Sequence, residues 1–232
     1  MITFAVILVV SGALLLGAAW GIYGKLAQTW EGFLVALAGG ALMISAILEL
    51  IEPATKEAPL WQVFALTLTG AVCFSGLDYL VKKTWGSDSG GGLLAAITLD
   101  GIPENLALGV ALIGTGPLQV AALSGSIFLS NLPEAAGGAK EMADAGNSKA
   151  RVFLLWGLTA LILSAAALLG NFFLAGVAKK VLALIRSFAA GAVVSSLATE
   201  VFPKSFKEDR YWAGIATTLG LILAFYLNQL GE

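Results

Sequence analysis

The sequence predicts an all-α integral membrane protein, a bundle of eight transmembrane helices. Its 232 residues are 58% hydrophobic and only 12% charged, with a mean hydropathy of +0.89, far from the balance of a water-soluble domain. Apolar stretches of about 20 residues, long enough to cross a hydrocarbon core of about 30 Å as helices, recur along the whole chain. No connection between them is long enough to fold separately, so we predict a single transmembrane domain over residues 1–232.

The predicted helices, numbered 1 to 8 in chain order, cover residues 2–23, 30–51, 60–81, 92–113, 118–138, 152–174, 181–202 and 211–230. No basic residue precedes helix 1 and no small-residue cleavage site stands out after it. We therefore interpret it as a membrane helix rather than a cleaved signal peptide.

Helices 2 and 3 are separated by "EPATKEAP", which has the composition of a solvated connection and makes Glu52 a solvated helix end. Helix 2 carries Glu49 near its end. Helix 3 carries Asp78 four residues before Lys82, a spacing that predicts a surface ion pair along one helix face.

Helix 4 contains "DGIPENLALG", which places Asp100 and Glu104 four residues apart on one helical face. Because a central Asp or Lys costs about 2.5 to 3.5 kcal/mol in a membrane helix, both carboxylates are expected to face the protein interior. Pro103 removes a backbone donor and releases the carbonyl of Leu99 from its helical hydrogen bond. Asn105 follows directly.

Helix 5 has the same arrangement, with Ser130 and Glu134 four residues apart, Asn131 beside them, and Pro133 opening the backbone near Leu129. Two kinked helices thus each offer a carboxylate flanked by smaller oxygen donors. This pattern predicts a cation site formed by Asp100, Glu104, Asn105, Ser130, Asn131 and Glu134.

Helix 6 contains "TALILSAAALLG", which has no acidic residue and offers Ser164 as its nearest polar candidate. Helix 7 carries Glu200, and helix 8 is an apolar run of transmembrane length. Glu49 and Glu200 are candidate pathway residues near opposite membrane surfaces, with packing as the competing interpretation of each.

The positions of the 13 cations predict the orientation, because Lys and Arg in short loops favour the cytoplasmic side. An N-terminus outside the cytoplasm places nine on the cytoplasmic side: Lys25, Lys82, Lys83, Lys140, Lys149, Arg151, Lys204, Lys207 and Arg210. The opposite side receives Lys56, Lys179, Lys180 and Arg186. Both termini are therefore predicted to be non-cytoplasmic, in a bacterial-type inner or plasma membrane.

Several classes of chemistry are excluded by composition. A single cysteine, Cys73, rules out an intrachain disulfide or a multi-cysteine site, and the absence of histidine removes the usual zinc ligand and proton relay. Met43 and Cys73 are soft donors in apolar helices, where packing is the commoner role. With no nucleophile and base pair and no nucleotide-binding loop, we expect neither an enzyme nor a nucleic-acid partner.

An internal repeat is indicated by the alignment of "GGALMISAILELI" with "AGAVVSSLATEVF". The matched pairs are Gly40 with Gly191, Ala41 with Ala192, Ser45 with Ser196, and Glu49 with Glu200. Helices 2 and 7 run in opposite directions in the predicted topology, so helices 1–3 and 6–8 would form an inverted repeat around helices 4 and 5. The small residues alone also fit ordinary close packing of membrane helices.

The eight-helix layout, the Pro-Glu pairs in helices 4 and 5, and "AGGALMISAILELIEPA" in helix 2 resemble the ZIP (Zrt- and Irt-like) family of divalent metal transporters. In that family helix 4 typically reads His-Asn-x-Pro-Glu-Gly. Asp100 stands at the histidine position and Gly101 at the asparagine, Pro103 and Glu104 are retained, and Asn105 replaces the glycine.

The family's helix 5 typically reads His-Glu-x-Pro-Glu-Gly. Ser130 stands at the histidine position and Asn131 at the next ligand position, Pro133 and Glu134 are retained, and Ala135 replaces the glycine. The resemblance implies a metal site halfway along a transport path, alternating access, and a homodimer in the lipid bilayer.

The transported substrate predicted from these residues is a divalent cation. Carboxylates, amides, hydroxyls and freed carbonyls suit Mg, Mn or Ca, whereas zinc usually recruits His or Cys, with Fe(II) and Co(II) between. The family resemblance points to Zn, Fe and Mn. Two alternatives stay open: the same fold carrying a monovalent or organic cation or a proton-coupled solute, and a non-transporting interaction protein with protonated, buried carboxylates.

Overall fold

The computed structural model describes residues 2–24, 27–85, 90–113 and 120–231, without the side chains of residues 2, 28, 85, 90–93, 96, 97, 100, 122 and 231. Within these ranges the regular structure is entirely helical, which confirms the predicted class. The helices are α1 (Ile2–Tyr23), α2 (Gln28–Ser45, a π-helical turn Ala46–Ile51, and Glu52–Glu57), α3 (Leu60–Trp85), α4 (Gly90–Ala111), α5 (Ala121–Asp144), α6 (Lys149–Leu174), α7 (Lys179–Ser196, a π-helical turn Leu197–Val201, and Phe202–Glu208) and α8 (Ala213–Gly231).

Six helices of the described chain, α1, α2, α3, α6, α7 and α8, are long and apolar enough to cross a membrane. Helices α4 and α5 have comparable lengths of 22 and 24 residues, and they carry the polar stretches of the predicted site. The architecture is that of a multi-pass membrane protein, as the hydropathy predicts.

The clearest difference from the predicted boundaries lies at "EPATKEAP", which is helical as far as Glu57 instead of forming a loop. The break comes at Ala58, which has extended dihedral angles of −141° and 154°. Ala58 precedes Pro59, and the residue before a proline is disfavoured in the helical region. Glu52 is exposed and pairs with Lys56 at 2.9 Å, as expected of a solvated helix end.

The π-helical turns of α2 and α7 occupy matching places in the two helices. Each contains the aligned glutamate, Glu49 or Glu200, and each leads into a helical segment that has proline in its first turn, Pro53 or Pro203. A proline inside a helix lacks a donor for the carbonyl four residues earlier and crowds it. The wider π turn accommodates that defect, and such turns occur frequently at functional sites.

Helix α2 packs closely against α8 through glycines on both helices. A Cβ atom at Gly40 would lie 1.9 Å from the carbonyl oxygen of Thr217, and one at Gly220 would lie 1.8 Å from that of Leu37. The two backbones approach each other more closely than any larger residue permits.

Helix α3 packs against α7 in the same way. A Cβ atom at Gly191 would lie 1.8 Å from the carbonyl oxygen of Thr67, and one at Gly70 would lie 2.0 Å from that of Phe188. Since Gly40 aligns with Gly191, the contact between α2 and α8 has a counterpart between α7 and α3.

Helices α4 and α5 lie in the interior, between these two helix pairs. The largest apolar core combines side chains of α2 and α7 with α4 and α5, including Leu42, Leu108, Ile127 and Val193. The outer faces of α3 and α8 expose large apolar side chains, which include Phe64, Leu68, Val72, Ile215, Ile222 and Phe225. Such faces suit lipid contact, while Glu104 and Asn105 of α4 and Ser130 and Asn131 of α5 are buried inside the bundle.

Candidate functional site

Helix α4 contributes a buried carboxylate and a buried amide. Glu104 and Asn105 are 4% and 0% exposed, and Pro103 lies inside the helix just before them. The Asn105 amide nitrogen donates to the carbonyl oxygen of Gly101 at 2.9 Å, while its oxygen Oδ1 has no hydrogen-bond partner among the described groups. Asp100 belongs to the helix, but its side chain lies outside the described residues.

Helix α5 contributes a second set of buried oxygen atoms. Ser130 and Asn131 are 1% and 2% exposed, and the Ser130 hydroxyl donates to Oε1 of Glu134 at 2.7 Å. The Asn131 amide nitrogen donates to the carbonyl oxygen of Val10 on α1 at 3.4 Å. This amide therefore connects the site to α1.

The two carboxylates belong to one electrostatic centre. Glu134 acts electrostatically on Glu104, so that a negative charge on each would repel the other. Two like charges in a medium of low dielectric constant destabilise each other unless a cation or a proton joins them. Of the six predicted ligands, the structure places five on the two central helices with described side chains: Glu104, Asn105, Ser130 and Asn131 are buried, and Glu134 is partly buried.

A lysine of α7 adds a positive charge to this centre. Lys204 interacts electrostatically with Glu134, and its Nζ lies 3.1 Å from Oε1 of Glu31 on α2. The Glu31 side chain is 8% exposed and that of Lys204 is 28% exposed, so this ion pair is largely shielded from solvent. It joins α2 to α7 on one side of Glu134.

Close packing against α5 holds Glu31 in place. A Cβ atom at Gly137, three residues after Glu134, would lie 1.9 Å from Oε1 of Glu31. The sequence reasoning missed this ion pair because it assigned Lys204 to a cytoplasmic loop. The sequence does contain an indication of the pair. Glu31 stands at the start of helix 2 and Lys204 follows the end of helix 7, and the predicted topology places both ends at the same membrane surface.

The candidate pathway residues Glu49 and Glu200 both bridge helices. Oε1 of Glu49 accepts a hydrogen bond from the Asn228 amide of α8 at 2.6 Å. Glu200 pairs with Lys82 of α3, and Lys82 also lies 3.0 Å from Asp78. The predicted pair of Asp78 and Lys82 is therefore present, but it is part of a three-residue bridge in which Asp78 is buried.

The two sulfur-containing candidates, Met43 and Cys73, make no described contact with Glu104 or Glu134. Met43 packs against the central apolar core, and Cys73 is exposed. Among the side chains that the structure describes, no three or more His, Cys, Asp or Glu residues gather in an arrangement able to hold a metal ion. Among the described side chains, the predicted neutral oxygen donors that accompany Glu104 and Glu134 on α4 and α5 are Asn105, Ser130 and Asn131.

Comparison with known proteins leaves the family open. No protein-family model matches the sequence, and no curated protein matches it either. The function therefore has to be argued from the residues and contacts described above.

Proposed function

We propose that the protein is a membrane transporter of divalent cations with a ZIP-like arrangement, in which the cation crosses the interior of the bundle at α4 and α5. The observation that carries this proposal is a pair of carboxylates on the two central helices of an apolar bundle: Glu104 is buried, and the negative charge of Glu134 acts on it. Ionisable residues inside membrane helices are costly, and they commonly mark substrate or ion pathways.

The proposed substrate follows from the donor atoms. Carboxylate, amide and hydroxyl oxygens are hard ligands, which favour Mg or Mn and accept Fe, Co or Zn less selectively. The Asn105 oxygen Oδ1, which has no hydrogen-bond partner among the described groups, is a further candidate ligand. Because neutral oxygens bind a cation less tightly than additional carboxylates would, the site would release its ion, as transport requires.

The proposed mechanism is alternating access between two inverted repeats, formed by α1–α3 and α6–α8 around α4 and α5. The matched glycine contacts of α2 with α8 and of α7 with α3 support it, as do the π-helical turns at Glu49 and Glu200. Inverted repeats commonly place a substrate site at their interface and move against each other around it.

The same fold carrying another cation or a proton-coupled solute is the second candidate. The observation that favours it is the absence of histidine from the chain, since zinc carriers usually recruit His or Cys. A third candidate, a non-transporting membrane protein, draws support from the Ser130 hydrogen bond and the Lys204 charge, which both stabilise Glu134 without any substrate.

The first test is thermal unfolding of the purified protein with Mn, Fe(II), Co, Zn, Cd, Mg or Ca. A ligand at about 100 times its dissociation constant stabilises the folded state by about 2.7 kcal/mol, which corresponds to about 5 °C or more in a chain of this size. We expect one or more of these metals to give such a shift, and Glu104→Gln and Glu134→Gln to abolish it.

The matched control is Glu141→Gln, since Glu141 is an exposed carboxylate two turns after Glu134 on the same helix. It should leave the metal shift unchanged. Uptake of the stabilising metal into proteoliposomes then separates transport from static binding. Absence of any metal shift, or a shift that survives both central substitutions, would count against a cation site at α4 and α5.

A further inference from the structure

A separate cavity lies where α2 begins and the chain passes from α7 to α8. It has a volume of about 350 Å³ and is lined by Thr29, Trp30, Phe33, Asp209 and Trp212. Three of these five residues are aromatic and one is a carboxylate. The candidate membrane spans 29–57 and 213–230 both start here, so the cavity lies at the level of the lipid headgroups.

The carboxylate of Asp209 is only partly satisfied. The residue is 4% exposed, its Oδ1 accepts from the backbone nitrogen of Trp212 at 3.3 Å, and its Oδ2 has no hydrogen-bond partner within the described part of the chain. A buried charged oxygen without a partner is unfavourable. A cation in the adjacent cavity would stabilise it.

Close packing fixes Asp209 relative to the aromatic rings. A Cβ atom at Gly32 would lie 2.9 Å from the backbone nitrogen of Asp209, so the start of α2 is pressed against this turn. Trp30 and Phe33, which stand two residues before and one residue after Gly32, have ring centroids 6.0 Å apart at an interplanar angle of 70°. Aromatic faces attract ammonium groups.

We propose that this cavity binds the ammonium headgroup of a zwitterionic phospholipid. The negative charge of Asp209 and the rings of Trp30, Phe33 and Trp212 complement an ammonium group, and the membrane level of the cavity selects a lipid as its source. Arg210, the next residue, is exposed at the same surface and provides a cation for the lipid phosphate. This inference is independent of the proposed transport function.

The test is native mass spectrometry of the full chain in detergent, titrated with phosphatidylethanolamine or with phosphatidylglycerol of identical acyl chains. The wild type should prefer the ethanolamine lipid by about fivefold, the order expected for cation–π attraction at a partly exposed site. Asp209→Asn removes the charge but keeps an oxygen that can accept from Trp212, and it should lower the preference below that of the wild type. Trp212→Leu should lower the preference as well.

The matched control is Trp61→Leu, because Trp61 is also exposed and lies in the first turn of α3, near the opposite end of α2. It should keep the lipid preference. Equal binding of the two lipids by the wild type, or a full preference in Asp209→Asn, would overturn the proposal. Displacement of the lipid by an equal concentration of acyl-free glycerophosphoethanolamine would assign the cavity to a soluble amine and also overturn it.

Discussion

At the scale of single residues, the ion pair of Glu31 and Lys204 is the contact with the largest expected energetic effect near the carboxylate centre. Glu31 is 8% exposed, and Gly137 leaves no room for it to move toward α5. A buried charge that loses its partner destabilises the folded state strongly, whereas replacing both partners by neutral groups does not.

We therefore expect Lys204→Met to lower the free energy of unfolding by about 2 kcal/mol, less than the 3–5 kcal/mol of a fully buried pair because the Lys204 side chain is 28% exposed. The double variant Glu31→Gln/Lys204→Met should recover most of that loss. Thermal unfolding in one detergent, without added metal, measures both effects.

Lys207→Met serves as the control, since Lys207 is exposed on the same helical segment. It should change stability by less than about 0.5 kcal/mol, as most surface substitutions do. If Lys204→Met melts like the wild type, or if the double variant is no more stable than Lys204→Met, the pair does not stabilise the bundle in the way that its burial implies.

At the scale of helices, the close contacts of α2 with α8 and of α3 with α7 depend on glycine. The contribution of such a contact to stability can be tested on α8 alone, because Gly220 packs against the α2 backbone and Gly214 has open space beside it. A Cβ atom at Gly220 would lie 1.8 Å from the carbonyl oxygen of Leu37, whereas nothing lies within 4 Å of one at Gly214.

Gly220→Ala should lower the free energy of unfolding by about 1–3 kcal/mol, because the helix backbones have to separate to admit the methyl group. Gly214→Ala should be neutral or stabilise by up to about 1 kcal/mol through its helix propensity. Thermal unfolding compares the stabilities of the two variants with that of the wild type. Equal melting temperatures would contradict the proposed role of the close contact.

Sequence reasoning found the existence and order of the helices because apolar length is a local property. It did not foresee the π-helical turns, although Pro53 and Pro203 were visible. A proline shows that a helical hydrogen bond is lost, but whether the helix ends, kinks or widens depends on packing against its neighbours. In this protein the chain continues as helix to Glu57 and Glu208.

At the scale of the whole molecule, the cation distribution predicts that both termini are non-cytoplasmic. Of the residues that support this prediction, Lys25 lies outside the described residues, while Lys204 and Lys207 lie on the last helical segment of α7. Some of the Lys residues counted for the cytoplasmic side therefore lie at helix ends. In the positive-inside rule, residues near the ends of membrane helices count in the same way as residues in short loops.

A fluorescent protein that matures only in the cytoplasm, fused after residue 232, should stay dark, while a periplasmic reporter at the same place should be active. The reverse pattern is expected for fusions after Asp144, at the end of α5. Fluorescence of the C-terminal fusion would contradict the predicted orientation. The ion pair of Glu31 and Lys204 would then lie at the non-cytoplasmic membrane surface.

The burial of Glu104 was predictable from helix 4 alone, because a carboxylate in a membrane helix is expected to face inward. How α4 and α5 pack against each other was not predictable from the separate helices. The interaction of Glu104 with Glu134 depends on how two helices separated along the chain pack side by side. The Lys204 charge near Glu134 depends further on where α7 ends.

The amino-acid sequence by itself determined the helical class, the membrane setting, the polar stretches of helices 4 and 5, and the matched segments of helices 2 and 7, because hydropathy, helix periodicity and proline chemistry act over short stretches. Only the tertiary structure decided that Glu49 and Glu200 bridge helices, that Glu31 and Lys204 pair beside Glu134, and that Asp209 lines an aromatic cavity. These contacts join residues far apart in the chain, and their geometry is set by the close packing of whole helices.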